Sequence, residues 1–119
     1  MSVKSIPSRV LGASGLAVSE VGLGCWQLGG DFGPIDEPTA KAILEQAVAD
    51  GITFFDTADV YGAGQSESYV GEVLAAIAPD AVIATKYGRG EGTYPDGYSL
   101  QDLRDSVKRA QDRLQRDSL

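Results

Sequence analysis

Three residues in this chain have the types and the spacing to transfer a proton: Asp56, Tyr61 and Lys86. Gly51 is followed by the β-rich run Thr53-Phe54-Phe55-Asp56, and a loop then carries Tyr61. The apolar run Ala81-Val82-Ile83-Ala84-Thr85 delivers Lys86 in the same way. A carboxylate, a phenol and an ammonium at the exits of neighbouring strands make a proton-transfer constellation. A phenol alone is a poor acid or base at neutral pH, because its unperturbed pKa is about 10. An ammonium about 4 Å away favours the phenolate by on the order of 4 kcal/mol at an effective dielectric near 20. With about 1.4 kcal/mol per pKa unit, Lys86 could lower the tyrosine pKa by up to roughly three units, before the desolvation of phenolate subtracts from it. Asp56 pairs with Lys86, keeps it charged and aimed, and avoids a lone buried cation.

The elements that must position these groups alternate between strand and helix. Residues 1–7 read as a loose lead-in. Arg9-Val10-Leu11 and Leu16-Ala17-Val18 flank Gly12-Ala13-Ser14-Gly15, which predicts a hairpin over about residues 8–18. Val21-Gly22-Leu23-Gly24 is a short apolar strand, and the glycine-rich segment from Cys25 to Pro34 reads as a loop. Asp36 then caps a helix with Pro38 in its first turn. Ala40, Ile43, Leu44, Ala47 and Val48 form its apolar face, and Gly51 stops it. The strand over Thr53–Asp56 follows. A second helix opens near Ser66-Glu67 with the stripe Val70, Val73, Leu74 and Ile77. The strand over Ala81–Lys86 and a glycine-rich loop from Tyr87 to Tyr98 lead to a third helix. Ser99 caps it, with Asp102 as an acidic variant of the capping box, and Leu103, Val107, Ala110 and Leu114 form its apolar face.

The order is therefore a β-hairpin followed by three βα units, over about residues 21–119. Alternating strands and amphipathic helices imply parallel strands joined by right-handed crossovers. Helices on one side leave the other sheet face and both edges without partners, whereas parallel sheets are normally covered on both faces. A (β/α)8 TIM barrel removes both problems but takes about 250 residues. The fold class expected is α/β: the N-terminal part of such a barrel, incomplete in this chain, with residues 1–119 as a single partial domain.

Composition narrows the function classes. With 17 acidic against 10 basic residues the net charge is −7, which argues against a nucleic-acid partner but not against a small phosphate-bearing ligand. No apolar run approaches the roughly 18 residues of a membrane span, and the first residues lack an apolar signal core. One cysteine and no histidine leave no internal disulfide, suit a reducing cytoplasm, and argue against a zinc or copper site. Taken singly, Asp56 reads as a cap or loop carboxylate, Tyr61 as a half-buried packing residue and Lys86 as a solvated strand end. Cys25 reads as a small packing residue, since no histidine can activate it. Asp59 and Glu67 read as braces of the loop and second helix, and the acidic residues of the third helix as a solvated face. Gly62-Ala63-Gly64-Gln65-Ser66-Glu67 imitates half a dinucleotide fingerprint, but Glu67 stands at the third glycine and Lys86, not an acid, ends the following strand, so a Rossmann reading is rejected.

The chain resembles the aldo-keto reductases. The resemblance is carried by Leu11-Gly12-Ala13-Ser14-Gly15-Leu16, by Gly22-Leu23-Gly24-Cys25-Trp26, by Gly51 through Gly62, by Ser66-Glu67 and by Ala84-Thr85-Lys86. It implies a nicotinamide-dependent barrel enzyme that reduces aldehydes or ketones to alcohols with NADPH/NADP+. It also implies a catalytic tetrad, of which Asp56, Tyr61 and Lys86 are three members. The fourth, a histidine, and most of the phosphate and adenine contacts would fall after Leu119. By the same resemblance Asp56 lies near the nicotinamide ribose, and Gly24, Cys25 and Trp26 line the cofactor and substrate mouth. Two other readings share these motifs. One is a non-catalytic, dinucleotide-binding regulatory subunit. The other is a truncated fragment inactive on its own, which associates with itself or with a complementing C-terminal half through its exposed sheet face and edges.

Overall fold

A computed structural model describes residues 6–119; residues 1–5 of the expected lead-in lie outside the described residues. The hairpin forms from β1 (Ser8–Val10) and β2 (Ala17–Ser19), paired antiparallel with Arg9 opposite Val18. It sits one residue further apart than the sequence suggests. The Leu11 N–H closes it by donating to the Leu16 carbonyl at 2.8 Å, around a single 3-10 turn at Gly12–Ser14.

A separate three-stranded parallel sheet follows, in the order β3 (Leu23–Gly24), β4 (Phe54–Asp56), β5 (Val82–Ala84). Leu23, Phe55 and Ile83 share one level of the register, and Gly24, Asp56 and Ala84 the next. All three strands are shorter than their apolar runs. Thr53 shows why at one end. Its N–H donates to Ser19 Oγ at 2.9 Å and its Oγ1 accepts from the Ser19 N–H at 2.8 Å, so these groups tie the hairpin down instead of extending β4.

Three helices cover one face. α1 (Glu37–Ala49) starts at Asp36, whose carboxylate accepts from the Thr39 N–H at 2.8 Å. α2 (Gln65–Ile77) packs between α1 and α3 (Leu100–Leu114). Phe55 of the central strand, Leu28, Leu44, Val70, Leu74 and Leu114 are the buried centre. Gly71 allows the α2–α3 contact: a Cβ there would run into the Arg113 carbonyl and the Leu114 backbone. Two helical faces depart from expectation. Ile77 is 47% exposed in the last turn of α2. On α3 the buried stripe is Ser106, Ala110 and Leu114, while Leu103 and Val107 stay in contact with solvent. α3 packs chiefly on α2, through that narrow stripe; Val107 instead lines a groove of about 180 Å³ beside β5, with Thr85, Ser106, Ala110 and Leu119. Asp102 also departs from a capping box: Ser99 caps α3, but the Asp102 carboxylate accepts from Tyr87 Oη at 2.9 Å and from Thr93 Oγ1, anchoring the loop before the helix.

Candidate active site

Asp56 and Lys86 leave the ends of strands, and Tyr61 stands in the loop that follows one of them. Asp56 is the last residue of β4, and its carbonyl accepts from the Cys25 N–H at 2.8 Å, which carries the pairing past the end of β3. The Thr57 N–H donates to the Ala84 carbonyl at 2.8 Å, so β4 and β5 stay in step up to their exits. Lys86 emerges two residues beyond β5. Tyr61 opens a kinked turn, Tyr61–Gly64, in the loop after β4, with Gly62 and Ala63 in left-handed backbone conformations. That loop lies directly on the turn Trp26–Gly29 after β3. A Cβ at Gly62 would collide with the backbone of Gly29, and one at Gly29 with the Tyr61–Gly62 backbone. The two glycines let the loops touch, and the contact brings Trp26 over Tyr61.

The ammonium is the hub. Lys86 Nζ lies 3.0 Å from Asp56 Oδ1 and 3.1 Å from Oδ2, 2.8 Å from the Thr57 carbonyl and 3.2 Å from Tyr61 Oη. It also lies 5.1 Å from the centroid of the Tyr61 ring. Partial burial pulls the Lys86 pKa down, but the hydrogen bonds to Asp56 and Tyr61 and their charges outweigh it, and the net direction is upward. The ammonium thus stays charged at neutral pH.

Trp26, half exposed, stacks on Tyr61 at 5.8 Å between centroids and 20° between planes; Phe32 meets its edge at 4.6 Å, and its Nε1–H donates to Asp31 at 3.1 Å. Trp26 and Asp31 wall a cleft of about 470 Å³ onto which Tyr61, Lys86, Asp59 and Arg89 also open. A second cleft, about 430 Å³, lies between the hairpin and the uncovered sheet face, where Gly24 and Asp56 form its floor with Leu11, Val18 and Phe54. Cys25 takes no place in either. Its side chain is fully buried in the core, and burial first, then the Asp56 charge, push the thiol pKa up to about 12. Its place next to Trp26 in the sequence does not carry over to the mouth, because the turn at Trp26 directs the two side chains apart.

Behind the exits runs a buried polar network that the sequence reading did not resolve. Ser66 Oγ bonds the Cys25 carbonyl at 2.7 Å and lies 2.8 Å from Thr57 Oγ1. Glu67, read as a brace of the loop, is fully buried and holds Arg113 of α3 and Thr85 of β5's exit. The Ser66-Glu67 pair stood out in sequence; its partner Arg113 did not, since it is one of several charged residues along α3. Asp59 lies close enough to Glu67 to feel its charge. Burial first, and Glu67 second, raise the Asp59 pKa.

A sequence profile of the Aldo/keto reductase family matches residues 20–119. The chain is 41% identical to L-galactose dehydrogenase of Arabidopsis thaliana over 117 residues, which take up 94% of this chain and 35% of that protein. It is 42% identical to pyridoxal 4-dehydrogenase of Microbacterium luteolum over 89 residues, 75% of this chain and 26% of that one. Among solved structures, the holo form of an aldo-keto reductase from Bacillus halodurans superposes with a TM-score of 0.80 at 36% identity, covering 94% of this chain and 37% of its own. The chain thus spans 26% to 35% of the length of these curated relatives. Its hairpin and three βα units have the fold of the opening part of a (β/α)8 barrel, with no closed barrel among the described residues. No helix among the described residues is long and apolar enough to cross a membrane.

Proposed function

This chain belongs to the aldo/keto reductase family, and from that premise we propose that it carries the acid–base part of an NADP(H)-dependent reduction of aldehydes or ketones to alcohols. The observation that carries the reading is the Lys86 ammonium, bonded at once to Asp56 and to Tyr61 Oη. Tyr61 faces the cleft with a hydroxyl that can give a proton, and as phenolate take one back, beside the ammonium of Lys86. In the reducing direction its O–H protonates the substrate oxygen as the carbonyl carbon gains a hydride. The phenolate left behind is held by Lys86 until solvent returns the proton; in the alcohol-oxidising direction the same phenolate takes the proton. Asp56 holds Lys86 on both carboxylate oxygens, and Trp26 shields one side of the phenol from water.

A nicotinamide dinucleotide, when bound, supplies or accepts the hydride. The residues here fit its nicotinamide and ribose end. A Cβ built on Gly24 meets nothing within 4 Å, so a flat group can lie against the sheet beside Asp56. Asp56, about half exposed, has carboxylate capacity left for a hydroxyl. We place the protein in the cytoplasm, with a small carbonyl compound as substrate.

The short span relative to the relatives, and a three-stranded sheet with free edges, favour a narrower statement as well. The alternative is that these 119 residues by themselves are inactive, and that their open sheet face and edges take a second copy or a complementing C-terminal half. Titration with NADPH, followed by quenching of the single tryptophan, Trp26, tests both. Saturable binding together with carbonyl-dependent consumption of NADPH supports an enzyme; saturable binding without turnover by any carbonyl supports the regulatory alternative. A folded sample that binds nothing until a C-terminal half is added supports the inactive fragment. A folded sample that binds nothing even then sinks the reading.

A further inference from the structure

Glu67 is a buried charge to which the acid–base reading gives no part. It sits in the first turn of α2 with none of its surface exposed. Its Oε1 accepts from Arg113 Nε at 2.8 Å and from Nη2 as well, and its Oε2 accepts from Thr85 Oγ1 at 2.7 Å. Arg113 comes from the last turn of α3. Thr85 comes from the exit of β5 and immediately precedes Lys86. A buried carboxylate is tolerated when it is paired and its lone pairs are satisfied. Arg113 meets the first need. The bond to Thr85 does something more: it fastens the chain, one residue ahead of Lys86, to the helix layer.

Placement matters for Lys86 in particular. Its ammonium meets four oxygens within 3.2 Å, yet a lysine stem is flexible and its head is a compact point charge. Such convergence is reproducible only if the backbone at its root is held. Thr85 reaches back to Glu67 while its neighbour Lys86 reaches forward to Asp56 and Tyr61. Other ionisable groups near the two ends are Asp59 beside Glu67 and Cys25 beside the Asp56–Lys86 pair.

We propose that Glu67 is a positioning residue: through the Thr85 hydroxyl it fixes the exit of β5, and with it the point at which the Lys86 ammonium meets Asp56 and Tyr61. This rests on Lys86 belonging to the acid–base site, but its test needs no turnover. The chain has four lysines, Lys4, Lys41, Lys86 and Lys108, so lysine labelled with carbon-13 at Cε can be titrated by NMR, with the Lys86 signal identified as the one lost in Lys86→Met. Thr85→Val cuts the link and leaves the Glu67–Arg113 pair intact; Thr85→Ser keeps the hydroxyl. The expected result is a Lys86 midpoint above the ordinary lysine range in the wild type, a downward shift in Thr85→Val, recovery in Thr85→Ser, and no movement of Lys41 or Lys108. A folded Thr85→Val protein whose Lys86 midpoint stays at the wild-type value overturns the proposal. So does a Thr85→Val protein that cannot fold while Thr85→Ser can, since the hydroxyl then serves folding instead of placing Lys86. A wild-type Lys86 that titrates as an ordinary surface lysine removes the acid–base site itself, and this inference with it.

Discussion

Two polar clusters flank the same strand exits. In front, Asp56 and Lys86 are 46% and 47% exposed along their side chains, and Tyr61 is half buried against Trp26. Behind, Thr57, Ser66 and Glu67 have no exposed surface. The front groups keep unused hydrogen-bonding capacity and open onto clefts. The back groups use theirs on one another and on the backbone, joining β3, β4 and β5 to α2 and α3. The difference follows from solvation. An ion pair this exposed contributes only about 0–1 kcal/mol to stability, so the front cluster is free to be arranged for chemistry. A buried charge with a severed partner costs about 3–5 kcal/mol, so the back cluster must be complete for the fold to stand. Substitutions in front should therefore alter turnover more than stability, and those behind should do the reverse.

The largest effect expected is in front. Tyr61→Phe in the active protein should lower turnover by about 10²–10⁴-fold, the usual range for a general acid–base, while urea unfolding moves little. Wild-type turnover in that variant would erase the distinction between the clusters. Next comes Glu67→Ala, which strands Arg113 and Thr85 and should cost about 3–5 kcal/mol in chemical denaturation. A loss within about 0.5 kcal/mol, the range of ordinary surface substitutions, would mean that water reaches the cluster and that back and front are alike. Ser66→Ala should be milder. It leaves the Cys25 carbonyl and the Thr57 hydroxyl short of a partner, at about 1–3 kcal/mol, by the same measurement.

The smallest effect is a pH dependence at Asp59, between the clusters. Its folded-state pKa is raised by burial and by the Glu67 charge. A raised folded pKa means that Asp59 opposes folding once ionised: its contribution is fully favourable below the ordinary carboxylate pKa and is lost as pH rises through the folded value. Asp59→Asn should consequently unfold at a higher temperature than wild type at pH 7, with the gap closing as pH falls below about 4, the ordinary carboxylate range. A gap that widens in acid would show that the Asp59 charge is favourable in the fold.

Much of this was legible in local sequence. Asp36 and Ser99 cap their helices as their types suggest, and Ala40, Leu44 and Ala47 turn inward at helical spacing. Strand bounds were less so, because a β-prone residue such as Thr53 can spend its hydrogen bonds on another element. The front cluster was visible because Asp56 and Lys86 each close a recognisable apolar run and Tyr61 stands in the short loop after the first of them. Glu67 was visible as a residue but not as a hub, since its binding partner lies 46 positions away on another helix.

By itself, then, the sequence determined what is local: which runs become strands and helices, where the helices begin, and which three side chains have the chemistry to pass a proton. The tertiary structure alone decided that Cys25 turns into the core while Trp26 covers the phenol, that α3 buries Ser106 and not Leu103, and that a carboxylate on α2 grips both α3 and the strand bearing Lys86. The physical reason is range. Periodicity and capping act over a few residues of chain, whereas the burial of a charge or the choice between two helix faces depends on what another element, dozens of residues away, brings into contact.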